Sequence, residues 1–317
     1  MSKTCNTRWF SLANSWPFCY NQGFVISVGT SETTFAKERN KIMIKLGVMA
    51  REVQDRSIED TIHFAYNDLK LDVIDLHLSG ITRDTDYIRH IKLLCHKYGL
   101  PIGYLGGGSF VGPEEEMRNR VEQGKADVNL AAFLGAQMIR LFARHKWPDT
   151  IEAQEALWVP MIARFQELSD YAAEKGIILG LQNHNNGSFA MTADQVLRIL
   201  REVDRENFTF LMDTGQWLNA IGSHPRGEFN PNVDLYKDYL ERTAPHTTSV
   251  RAKIYKIDSG CEEWLDYGRV LKILHAVGFN GNMSIVFEGG DRNKYDTDEC
   301  LRLATRHLRE VIAASYE

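Results

Sequence analysis

Residues 176–184 read GIILGLQNH, and Asn185-Asn186-Gly187 follow. The stretch is an apolar run that turns polar at its end. Gln182, Asn183, His184, Asn185 and Asn186 are all amide or imidazole, and none carries a fixed charge. A short apolar run ending this way reads as a buried strand that empties into a site. Seven further runs share its character: IKLGVMA (44–50), LDVIDLHLSG (71–80), LPIGYLGGG (100–108), AQMIRLFAR (136–144), FTFLMDTGQW (208–217), TTSVRAKIY (247–255) and NMSIVFEGG (282–290). Between them lie segments of helical spacing. In SIEDTIHFAYNDLK, Ile58, Ile62, Ala65 and Leu69 recur at steps of three and four, with Ser57 as N-cap. TDYIRHIKLLCHKYG, LWVPMIARFQELSDYAAEKG, TADQVLRILREV, YGRVLKILHAVGFNG and TDECLRLATRHLREVIAA repeat the pattern, with Thr192 as the cap of the third.

Strand then helix, eight times from residue 43 onward, predicts parallel strands with helical crossovers. Eight such units match a closed (β/α)₈ TIM barrel, a single domain over residues 43–317. An open doubly wound sheet is the alternative. It would carry a Gly-rich phosphate turn after the first strand, where this chain reads GVMAREVQDR. YLGGGSFVG reads as a flexible loop at the barrel mouth, and 218–246 as a long insertion of the kind that forms lids.

Composition bounds the function. Of 317 residues, 44% are hydrophobic and 25% charged, with a net charge of −5, which describes an ordinary globular chain. No basic run tracks phosphates, so nucleic acid is not expected as a partner. No apolar stretch approaches the roughly 20 residues that span a bilayer. Cys5, Cys19, Cys95, Cys261 and Cys300 are odd in number and scattered, which points to a reducing compartment and a cytoplasmic location. Residues 1–42 lack helical or strand period and form an N-terminal extension. Three readings of it stay open: a lid or partner-binding arm, a disordered tail, or a non-native start ahead of Met43.

In a (β/α)₈ barrel, active residues sit at the C-terminal ends of strands. In chain order those ends offer His77; Arg140, Arg144 and His145; Gln182, Asn183 and His184; Asp213 and Gln216; Arg251, Lys253 and Tyr255; and Glu288. Trp217 and Trp264 can stack on a sugar face or pack in the core or rim.

At these residues the chain resembles the xylose-isomerase-like sugar phosphate isomerase/epimerase superfamily, which also includes the endonuclease-IV-type barrels. The matching pieces are LQNH, DTGQW, RAKIY and SIVFEGG. In many relatives a Glu, an Asp, a His and a Glu on strands five to eight hold one divalent metal. Carried over, the resemblance places Gln182, Asp213, Arg251 and Glu288 there, so two of the four positions depart. A guanidinium has only donors, so Arg251 cannot be a ligand. The resemblance therefore implies Mn²⁺ or Mg²⁺ bound through Gln182, Asp213 and Glu288, weakly or not at all. Arg251 can pair with a carboxylate and substitute for the ion; alternatively His184 or Gln216 completes a rearranged metal site.

The activity implied is a sugar isomerase or epimerase moving a proton at a carbon next to a carbonyl. An amide does not titrate usefully, so Gln182 cannot be a base, whereas Glu288 can. His184, Lys253 and Tyr255 are the other proton-transfer candidates. Arg140, Asn183, Gln216, Arg251, Tyr255 and His77 are expected to contact the sugar. A lyase or hydrolase acting on an oxidised sugar or glycoside is the alternative, as is a non-catalytic carbohydrate-binding barrel with a degraded metal site. A homo-oligomer or a small partner subunit is compatible with either.

Overall fold

The computed structural model describes residues 44–50, 56–144, 148–223 and 227–315. The expectations for residues 1–42, for Met43 and for His145 lie outside these. Eight parallel strands form a closed barrel in chain order: β1 (Lys45–Met49), β2 (Val73–His77), β3 (Ile102–Ser109), β4 (Met138–Phe142), β5 (Ile178–Gln182), β6 (Phe208–Asp213), β7 (Thr247–Ile254) and β8 (Asn282–Phe287). Closure is made where β8 returns to β1, with Lys45 opposite Asn282 and Val48 opposite Ile285. Each apolar run of the sequence is one of these strands.

Helices follow the strands: α1 (Ile58–Asn67), α2 (Thr85–Lys97), α3 (Glu114–Leu134), α4 (Ile151–Glu174), α5 (Ala193–Val203), α6, α7 (Tyr267–Ala276) and α8 (Thr297–Ala314). The α6 element is a π-helix, Leu235–Leu240, running into an α-helical turn, Glu241–Thr243. Local chemistry sets several starts. The Ser57 side chain accepts the Asp60 N–H at the head of α1, and Thr192 forms a reciprocal capping box with Gln195 at the head of α5.

Two sequence expectations are corrected here. Of the expected insertion at 218–246, the second half is not loop but the crossover α6. At the insertion's start Trp217 is buried and stacks on Tyr239 at 4.9 Å, whose hydroxyl donates to the Leu218 carbonyl at 2.9 Å, whereas residues 228–232 are exposed. Nor is YLGGGSFVG a flexible loop, since Gly106, Gly107 and Gly108 belong to β3. At Gly106 and Gly107 neighbours press in. A Cβ on Gly106 would lie 2.7 Å from Arg140 Nη2 and 2.8 Å from the His77 ring; one on Gly107 would lie 2.8 Å from the Arg140 carbonyl oxygen.

The period of two divides each strand between two cores. Outward residues such as Val250, Ala252 and Ile254 pack under the helices. A small inner cluster of Met49, Tyr104, Met138, Leu211 and Val286 fills the barrel interior. Arg140, Asp213 and Glu288 each lie two positions beyond one of these inner residues, which carries them up the same face to the mouth.

Gly107→Ala is expected to destabilise the fold by about 1–3 kcal/mol, because its methyl meets a strand backbone that cannot yield. Gly108→Ala should change little, since nothing lies within 4 Å of its added Cβ. Melting temperatures of the two variants check this directly.

Candidate active site

At the mouth, β6 and β7 are in register so that Asp213 faces Arg251. Asp213 is wholly buried. Its Oδ2 accepts from Gln182 Nε2 at 3.0 Å and Arg251 Nε at 3.2 Å, and lies 3.5 Å from Lys253 Nζ. Its Oδ1 accepts the Gly215 N–H at 3.1 Å. Lys253, also buried, reaches past Asp213 to Glu288, with Nζ 2.6 Å from Oε1. Gln216 closes the group from the other side, donating Nε2 to both Glu288 oxygens at 3.2 and 3.1 Å. It does so from a left-handed backbone, φ 56°, a strained state for a non-glycine residue that clusters at functional sites. Arg251 is held at its far end by the Tyr104 hydroxyl, and Arg140 stacks over the Phe142 ring at 4.1 Å.

The glutamine now has a physical reason. Gln182 Oε1 accepts from Arg140 Nη1 at 3.2 Å while its Nε2 donates to Asp213. Arginine can only donate and an ionised carboxylate can only accept, so this position needs a side chain with one of each. A glutamate here would set a second carboxylate against Asp213.

These residues do not fit a divalent cation. Hard cations take oxygen ligands. Gln182 spends its oxygen on Arg140, and Asp213 Oδ2 is surrounded by two cations and an amide N–H. Glu288 is engaged by Lys253 and Gln216. Among the described residues no three His, Cys, Asp or Glu side chains converge as a metal-binding group. In the arrangement seen, the positive charge beside Asp213 and Glu288 comes from the guanidinium of Arg251 and the ammonium of Lys253. Burial pushes the Asp213 carboxyl up from its ordinary range, and Lys253 and then Arg251 oppose the shift.

The other expected residues divide. His77 and Arg140 flank Gly106 together at the mouth. His184 meets Phe142 edge-on with ring centroids 5.7 Å apart. Its Nδ1 lies within reach of the Asn186 carbonyl oxygen (3.1 Å) and amide nitrogen (3.2 Å), one bond for each tautomer. Asn183, expected at the sugar, instead clamps the backbone: its Nδ2 donates to the carbonyls of Asp213 and Gly215, and its Oδ1 accepts the Asp213 N–H. Tyr255, also expected there, is wholly buried, donates to the Gly222 carbonyl at 2.7 Å and stacks on Trp264 at 5.2 Å. Sequence reasoning missed Tyr104. The signal was available, because an aromatic hydroxyl two residues before Gly106 on an inner-facing strand must find a partner.

The comparisons agree with this architecture. The family described as xylose isomerase-like TIM barrel matches residues 65–311. No curated protein matches the sequence. A solved structure of a xylose isomerase domain protein from Planctomyces limnophilus is 17% identical, with a TM-score of 0.61, covering 86% of this chain and 98% of that one. D-psicose 3-epimerase with D-tagatose from Clostridium cellulolyticum H10 is 14% identical, with a TM-score of 0.66, covering 86% and 98%. A D-tagatose 3-epimerase-like protein is 18% identical, with a TM-score of 0.66 and the same coverage. At these identities the likeness shows the shared fold.

Chelation with EDTA should leave the melting temperature of the protein unchanged. The variant Gln182→Glu with Arg251→His removes a cation and adds a carboxylate and an imidazole. It should bind Mn²⁺ at least tenfold more tightly than the wild type, about 1.4 kcal/mol, as read by calorimetric titration. A wild type that already binds at submicromolar levels would overturn the assignment.

Proposed function

We propose that this chain, which belongs to the xylose isomerase-like TIM barrel family, is a sugar isomerase or epimerase in which Glu288 moves a proton at a carbon next to a carbonyl. One observation carries the choice of base. The Glu288 side chain is 18% exposed, whereas that of Asp213 is 0% exposed. Of the two carboxylates, only Glu288 can meet a substrate. Its neighbour Lys253 supplies a fixed ammonium at 2.6 Å, poised to stabilise negative charge that develops on the substrate. Gln216 fixes the direction of the carboxylate.

A single accessible base favours chemistry on one face of the sugar. Removing a proton from C2 and returning it to C1 on the same face, while the O2 hydroxyl proton passes to O1, interconverts an aldose and a ketose. Inversion at one carbon needs a second acid on the opposite face, and at Gln182 the chain has an amide that cannot serve. His184 and Lys253 are the remaining groups able to carry a proton. The same one-sided base would serve β-elimination from an oxidised sugar, so a lyase is the second reading. The names of the solved relatives, epimerases of D-psicose and a D-tagatose 3-epimerase-like protein, support a substrate of simple-sugar size. An odd, scattered set of five cysteines, of which Cys95, Cys261 and Cys300 form no disulfide among the described residues, is compatible with a reducing setting.

The test is incubation with a panel of aldoses and ketoses in D₂O, followed by NMR of the recovered sugars. We expect an aldose–ketose pair to interconvert with deuterium entering at the carbon beside the carbonyl. Glu288→Gln should lower the rate by at least about 100-fold while the variant stays folded by circular dichroism, because the amide oxygen still accepts from Lys253. Turnover that survives this substitution would remove Glu288 from the role.

A further inference from the structure

Below the mouth, inside the barrel, sits a third carboxylate that the proposed chemistry does not use. Asp75 lies on the face of β2 that also carries His77, and it is wholly buried. Its Oδ1 accepts the Tyr104 N–H at 3.0 Å. Room for that oxygen is made by Gly103, where a Cβ would come within 2.5 Å of it. The Ser284 hydroxyl lies beside the carboxylate, yet neither it nor Oδ2 makes a hydrogen bond of good geometry. The charged and titratable groups facing Asp75 are Arg251 from β7 and Tyr104 from β3. Tyr104 is also the residue whose hydroxyl accepts from Arg251 Nη1. Arg251 is thus gripped from above by Asp213 at Nε and from below by Tyr104, with the charge of Asp75 behind the tyrosine.

A half-satisfied buried carboxylate is costly, and a neutral residue of the same shape would be expected to stabilise the barrel. From its place under Arg251 we infer that Asp75 is a positioning residue: it anchors Tyr104 and supplies the second negative charge that orients the Arg251 guanidinium against Asp213. The carboxylate–cation group at the mouth then keeps the arrangement that leaves Glu288 accessible. The inference rests on the proton-transfer reading of that group, but its decisive measurements need no substrate.

Burial pushes the Asp75 carboxyl up to about 7, opposed by the Ser284 hydroxyl, the Tyr104 N–H and the Arg251 charge. A carboxyl raised in the folded state loses stability as pH climbs from its unfolded value, about 4, to its folded value, and loses no more above that. Asp75→Asn keeps the acceptor for Tyr104, offers Ser284 a donor and carries no charge. At pH 8 this variant should melt about 3 °C or more above the wild type, and the gap should close toward pH 5. In NMR spectra the Arg251 Nε–Hε resonance, assigned by its loss in Arg251→Lys, should shift with pH near 7 in the wild type and stay fixed in Asp75→Asn. On a sugar that the panel shows to be turned over, kcat should fall at least tenfold with KM little changed. A variant that melts below the wild type at pH 8 would make Asp75 merely structural and overturn the inference. An Arg251 resonance indifferent to both pH and the substitution would overturn it equally. Absence of turnover on any sugar would sink the proposed activity, while the melts and the resonance still decide the role of Asp75.

Discussion

The Asp213 carboxylate is the charge on which the rest of the mouth depends. It is wholly buried, so its negative charge must be met at close range. The register of β6 against β7 brings Arg251 opposite it, and the period of two along β7 puts Lys253 on the same inner face. With two cations committed to one carboxylate, a second carboxylate is needed nearby. Glu288 on the far side of Lys253 answers that need. The amide at Gln182 follows from the same balance, because it bridges a third cation, Arg140, to Asp213 without adding charge.

This balance separates two ways of building a polar site at the end of a barrel. A metal centre gathers carboxylates and imidazoles around an ion and collapses electrostatically without it. Here the positive charge beside the carboxylates is that of Arg251 and Lys253, which are covalently part of the chain. In the proposed chemistry, electrostatic stabilisation would come from fixed ammonium and guanidinium groups. Such groups are preorganised only if their own positions are held. The grip of Tyr104 on Arg251 and of Gln216 on Glu288 answers that requirement.

Much of this was legible in the sequence, for reasons that can be named. The eight strands announce themselves because parallel strands covered on both faces are nearly continuous apolar runs. Asp213, Lys253 and Glu288 stood out because an ionisable residue at the end of such a run has no bland location. α3 was not legible: its sequence, EEEMRNRVEQGKADVNLAAFL, carries Gly124 at mid-helix, and the reason lies elsewhere, in Phe110 and Leu168 pressing on that glycine. The partners of Asn183 and Tyr255 were not legible, because sequence gives a residue's type and place but not what it bonds. The backbone groups that engage them come from other loops. Asp75 was hidden by position, since it lies inside a strand rather than at its end.

The central claim is that Asp213 balances two buried cations of the protein rather than an ion from solution. The most direct measurement is a pair of denaturant titrations in EDTA, of Asp213→Asn and of Asp213→Asn with Arg251→Met, against the wild type. The single substitution leaves Arg251 and Lys253 buried without Asp213 and should cost about 3–5 kcal/mol. The double variant removes one of those cations and should recover part of that loss. A contrary result would be a single variant within about 1 kcal/mol of the wild type, together with a wild type that Mn²⁺ stabilises.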